Sequence, residues 1–318
     1  MYFNVILLQI AILGLLTLIG IIAAKMKIIT IEVKDSIASV IFNITLPFLI
    51  IISVTSIELN KQILLNSILV FVFSALAITL QWIAGIISKN SLGLTDKKAD
   101  IHVLNTMFGN VAFLGYPLFS ALFPGGEGLL YAIIFHFSQD LFIWTIGIFI
   151  FHSNSGSSFA QNIKHLVNPN TIAFFLGIVL LTVGFQFPEF LYKPLKGLGD
   201  TTIYLAMLYI GAVLAQNPMI SAFKKTEIYV LIFNKMLFIP FLMIIIIQLF
   251  TLLTGIEMGI TAKTVLIMQA AMPCMTMIVV LAKRFGSDDI HATENLFLST
   301  ILSIGTLPLI YYLIQIMN

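Results

Sequence analysis

From Val230 to Leu253 the chain is apolar on nearly every side, and runs of this kind recur along the whole sequence. Such a run has no polar face to turn to water, so it reads as a helix immersed in lipid or in other lipid-borne helices. A spanning helix takes about 20 apolar residues, whereas the strands of a membrane barrel are segments of about ten that alternate apolar and polar. The barrel is therefore excluded, and the fold class is an all-α polytopic membrane protein. Composition agrees: of 318 residues, 59% are hydrophobic and 9% charged, against about 25% charged in a soluble domain. Ten spans leave roughly 100 positions for connections, too few for a sizeable extramembrane domain.

Other classes fall away quickly. The net charge of +2 comes with scattered lysines, so no basic patch points to nucleic acid. Cys274 is the one cysteine, which excludes an internal disulfide and a thiolate metal site. The five histidines lack ligand spacing, and HExxH, GxSxG and P-loop motifs are absent, so no enzyme chemistry, metal site or cofactor is expected. The first apolar stretch, Val5 to Ala24, has no basic residue before it and no small-residue cleavage pattern, and reads as a retained span.

Apolar runs bounded by polar or Gly/Pro breaks place ten spans at about 4–24, 36–56, 63–88, 101–122, 128–151, 170–187, 199–216, 227–253, 262–282 and 292–316. The Ser/Gly-rich stretch Ser153 to Ser158 reads as a flexible linker, within a connection at 153–169 that separates five-helix halves at 1–152 and 170–318. Odd-numbered loops carry eleven Lys and Arg residues, among them Lys97, Lys98, Lys224, Lys225, Lys283 and Arg284, against four in the even loops. Basic loops resist translocation, so both termini are expected outside the cytoplasmic membrane. With an odd number of helices per half, the second half enters the bilayer from the opposite side, and any likeness between halves is an inverted repeat of the kind transporters use.

Two spans carry breakers at corresponding places: Gly109-Asn110 in the fourth and Pro273 in the ninth. The fourth is expected to open between or near Gly109 and Pro117. An opened backbone survives in lipid only against protein or a water-filled cavity; a kinked helix with glycine packed on a neighbour is the competing reading. If both spans break and cross, two half-helix N-termini, each with about half a positive charge, face one point and favour an anion. Asn105, Asn110, Gln269 and Thr276 then become candidate contacts, with an interhelical hydrogen bond as the plainer role of each. Asn43, four residues before Pro47, is a further one. Asp140 and Lys235 lie deep in apolar surroundings and require compensation. His136, Gln139 and Asp140 share a helical face suited to holding or relaying a proton, Asp140 being the first candidate for coupling. Lys235 precedes Pro240 by five residues and is expected near carbonyls that this proline frees, or opposite Asp140 or a substrate.

With these residues in view the chain resembles the auxin efflux carrier family, which includes the plant auxin exporters and bacterial relatives linked to dicarboxylates such as malate and malonate. The likeness spans nearly the whole chain. Its carriers are Gly109-Asn110 with Gly115-Tyr116-Pro117, the Asn168-Pro169-Asn170-Thr171 run, Gln269-Ala-Ala-Met-Pro273, Asn43 with Pro47, and Lys235 with Pro240. It implies two inverted five-helix repeats with crossed, broken helices four and nine, a scaffold of spans one, two, six and seven, and a mobile domain of three to five and eight to ten. A homodimer through the scaffolds and an elevator mechanism for an organic anion bound near Asn110 and Pro273 are implied as well. Plant members place a proline where this chain has Gly109, so auxin itself is not implied. The expected function is secondary active transport of a small organic anion, a carboxylate, driven by protons, sodium or the membrane potential. A cation/proton antiporter using Asp140 and a non-transporting receptor or scaffold stay open beside it.

Overall fold

The computed structural model describes residues 2–151, 167–216 and 220–317, so most of the expected linker at 153–169 lies outside the described residues. These form α1 (Tyr2–Lys25), α2 (Ile31–Thr55), α3 (Lys61–Ser91), α4a (Asp96–Met107), α4b (Val111–Leu122), α5 (Glu127–Phe151), α6 (Pro169–Thr182), α7 (Glu189–Gln216), α8 (Thr226–Thr254), α9a (Ile260–Ala270), α9b (Thr276–Arg284) and α10 (Asp289–Met317). A short 3₁₀ turn, Ile220–Lys224, precedes α8. Among the described residues there is no strand beyond one isolated bridge. Six helices, α2, α3, α5, α7, α8 and α10, are long and apolar enough to cross a membrane by length and composition, and shorter apolar helices accompany them. Exposed positions are apolar too: Leu8, Ile12, Leu15, Ile19 and Ile22 line one face of α1 at helical spacing, as lipid rather than water demands.

The largest departure from the sequence reading is α7, which begins at Glu189 instead of about 199. Glu189 and Lys193, and Lys196 and Asp200, pair at 2.6 Å one turn apart, and these i,i+4 pairs keep a charged stretch helical that charge alone suggested was a loop. Pro117 does not break its helix. It falls in the first turn of the regular part of α4b, after a π turn at Val111–Gly115, where a missing N–H is harmless.

The chain divides into two compact units. The first comprises Met1–Ser67, Ala112–Ile134 and Val167–Pro218. Its helices approach closely at glycines: Gly20 of α1 lies against the backbone of Leu208 in α7, Gly199 of α7 against Leu49 of α2, and Gly177 of α6 against Val54 of α2, the small-residue contacts by which helices associate in lipid. Asn168 caps α6, its Oδ1 accepting the N–H groups of Asn170 and Thr171 at 3.0 and 3.1 Å, while Pro169 fills the first turn. The Asn-Pro-Asn-Thr run is thus, locally, a helix start.

The second unit comprises Ile68–Val111, Phe135–Leu166 and Met219–Asn318. Its core gathers around α4a, where Ile101, Leu104, Met107 and Phe108 pack with Ile78, Ile143, Ile278 and Leu281. Gly85 of α3 sits against Val103 of α4a, and Gly147 of α5 against the Phe108 ring. This core surrounds the stretch where α4a gives way to extended chain.

Candidate functional site

Within the second unit α4a ends at Met107 and α9a at Ala270, and each chain runs on for a few residues before helix resumes at Val111 and Thr276. Across the gap the two segments pair antiparallel. The Asn110 N–H donates to the Pro273 carbonyl at 2.8 Å and the Met275 N–H to the Phe108 carbonyl at 3.1 Å, with Gly109 opposite Cys274. Each opened segment is therefore the other's hydrogen-bond partner, which is what lipid requires of irregular backbone.

Side chains complete the accounting. Gln139 of α5 clasps Gly109 from both sides, its Oε1 accepting the Gly109 N–H at 2.9 Å and its Nε2 donating to the Gly109 carbonyl at 3.1 Å. Gln81 of α3 donates to the Ala270 carbonyl at 2.8 Å, and Ser299 of α10 accepts the Cys274 N–H at 3.0 Å. Lys235 of α8 is 1% exposed and donates to the Thr106 carbonyl at 3.1 Å. Its partner is thus a carbonyl at the C-terminal end of α4a, not one freed by its own Pro240 nor the carboxylate of Asp140.

The sequence-selected residues separate into three groups. Gly109, Pro273, Gln269, Gln139 and Lys235 build the crossing, Gln269 by donating to the Val111 carbonyl at 3.4 Å. Asn105, Asn110 and Thr276 lie at it with side chains that make no hydrogen bond among the described residues; Asn105 is fully buried and neither of its amide atoms has a partner there. The rest lie apart. Asn43 is exposed in the first unit and donates to its own helix at the Ser39 carbonyl, 2.9 Å away. His136 and Asp140 approach to 3.4 Å, as their spacing suggested, but Gln139, on the same face, is committed to Gly109. Gln81 and Ser299 were missed; each is a buried polar residue on a membrane-spanning helix, and that was the available signal.

A family model described as membrane transport protein matches residues 5–162 and 156–311. The chain belongs to this family, the auxin efflux carriers. It is similar to two archaeal proteins named uncharacterized transporters, from Methanocaldococcus jannaschii and Methanothermobacter thermautotrophicus. Each is 25% identical over 301 residues, covering 93% and 92% of this chain and 94% and 93% of the relative. Membership makes the protein a multi-pass membrane transporter and not an enzyme.

Proposed function

We propose that the protein is a secondary carrier of a small organic anion, a carboxylate, and that the anion binds at the crossing against Asn110, Asn105 and Thr276. The observation that carries this reading is Lys235 on the Thr106 carbonyl. Crossed broken helices bring two electropositive N-termini and two electronegative C-termini to one place, each worth about half a charge, so alone they cancel. A buried ammonium on the C-terminal end of α4a tips the sum positive. Among the described residues no carboxylate hydrogen-bonds to the crossing, and the starts at Val111 and Thr276 keep N–H groups for an anion. The uncommitted Asn110 amide adds a neutral donor.

Transport follows an elevator motion in this reading, with the crossing carried on a mobile domain and the protein a homodimer through its scaffold in the cytoplasmic membrane, both termini outside. Family membership supports the carrier part of this reading, and the division of the chain into two compact units its elevator part. The test is uptake into reconstituted vesicles. Labelled malate, malonate or acetate should accumulate, while a sodium or proton gradient imposed without organic anion should drive no counter-movement. Cation counter-movement in the absence of any carboxylate is the result that would replace this reading with an antiporter.

A further inference from the structure

Buried polar side chains do not stop at the crossing. Helices α4a and α10 pack against each other in the second unit, and each sets a polar residue at every turn of one face: Lys98, His102 and Asn105 on α4a, His291, Asn295 and Ser299 on α10. At the basic end the Glu294 carboxylate, 2% exposed, accepts from Lys225 Nζ at 2.5 Å and Ser221 Oγ at 2.9 Å, with His291 Nδ1 3.6 Å away. Lys98 pairs with Glu227 of α8 at 2.6 Å. One turn inward, His102 Nε2 meets Ser88 Oγ of α3 at 2.8 Å. At the inner end the Cys274 N–H donates to Ser299 at 3.0 Å and its Sγ–H to the Asn105 carbonyl at 3.6 Å, beside Lys235.

Along this file His102 Nδ1, both ring nitrogens of His291 and all the amide atoms of Asn295 and Asn105 make no hydrogen bond among the described residues. All four residues are at most 2% exposed. A buried polar group left unmatched costs about 1–3 kcal/mol, so a seam serving packing alone would be apolar. Groups at successive turns, each able both to donate and to accept, suit instead a chain of water molecules with two imidazoles in it.

We propose that this file conducts protons between Lys235 at the crossing and the His291–Glu294 pair at the basic end, coupling anion carriage to proton movement. The proposal rests on the anion-carrier reading above. One proton moves at each step and no electron does. The Lys235 ammonium gives a proton to the file and becomes a neutral amine; His102 takes it on one ring nitrogen and releases another from the second; His291 does the same; the Glu294 carboxylate becomes the acid and returns the proton to water. A neutral Lys235 no longer offsets the α4a terminus, so the carboxylate leaves with the proton. The charged groups that face the path are Lys98 of α4a, Lys225 before α8, Glu227 of α8 and Asp288, whose carboxylate accepts the His291 backbone N–H at 2.9 Å. Asp140 lies outside this file, paired with His136.

The test uses the full chain in vesicles loaded with a pH dye, with labelled malonate and malate as probes. Wild type should move dye signal in proportion to label, and a pH gradient should accelerate uptake. In the H102Q/H291Q double variant, exchange of labelled for unlabelled anion should persist while the dye signal falls at least about tenfold. Asn295→Val, which interrupts the file without touching a charge, provides the same comparison if the double variant does not fold. A dye signal that follows label as in wild type in these variants, or label movement in wild type without dye signal, would overturn the proposal. If neither anion moves in wild type, the carrier reading fails instead, and the file is judged without substrate by nitrogen-15 magnetic resonance of the histidines in lipid. His102 and His291 should each exchange their ring protons with water and sample both neutral tautomers; a single fixed tautomer without exchange in both rings would reject the file.

Discussion

Two kinds of helix interruption coexist in this chain. In α2 and α8 the helix widens into π turns at Ile41–Thr45 and Phe233–Phe238, ahead of Pro47 and Pro240, and then continues. Between α4a and α4b, and between α9a and α9b, it opens completely. Proline does not make the difference, since Gly109 opens without one. A π turn needs no proline either, since α5 has one at Ile143–Gly147 while Pro194 and Pro308 lie inside regular helix; a π turn is accommodated locally, and on α2 Asn43 even returns its amide to the Ser39 carbonyl of its own helix. Opening frees several groups at once and persists only where partners converge from outside: the other opened strand, Gln139, Gln81, Ser299 and Lys235. A π turn is thus a property of its own helix, whereas an opening is a property of the neighbours.

The contrast is broken or sharpened by removing those neighbours. Gln139→Leu leaves both polar groups of Gly109 buried and unmatched, and should lower stability by about 2–4 kcal/mol, read as a fall in unfolding temperature in detergent and loss of transport; an unchanged protein would mean that the opening holds itself. Lys235→Met should weaken carboxylate binding about tenfold or more, roughly 1.4 kcal/mol, by calorimetry, with Asn43→Ala as a control that leaves affinity alone. Gly109→Pro abolishes the N–H that Gln139 accepts and should cost about 1 kcal/mol more than Gly109→Ala, whose added Cβ comes 3.2 Å from that of Met272. Smallest of all, Pro47→Ala restores one N–H to a helix that already manages without it, and should shift stability by no more than about 0.5 kcal/mol; a loss as large as that of Gln139→Leu would erase the distinction between the two kinds of interruption.

How much of this was legible in the sequence follows from the same distinction. The apolar runs located the helices, because hydropathy is a local property, and Gly109-Asn110 and Pro273 marked the two openings because breakers act on their own backbone. Partnerships were harder. Lys235 was recognisable as a buried charge demanding compensation, but its spacing from Pro240 pointed to its own helix, while the Thr106 carbonyl that it serves is 129 residues away in the chain. Gln139 was grouped with Asp140 by helical spacing, which says which residues share a face and nothing of what that face meets. Asn43 carried the same kind of motif as the crossing residues and proved to be bonded within its own turn. The histidines looked scattered because His102 and His291 sit on helices nearly two hundred positions apart, and only packing of α4a on α10 brings their two polar faces into register.

In a carboxylate carrier of this design the paired segments at Asn110 and Pro273 receive the anion. The direct measurement is the thermal shift of purified wild type and Asn110→Ala against a panel of mono- and dicarboxylates and their sodium and potassium salts, since a ligand that binds only the folded state raises its unfolding temperature. At least one carboxylate should stabilise wild type whatever its counterion and stabilise the variant far less. Equal shifts in both proteins, or shifts that follow the cation and ignore the anion, would contradict it.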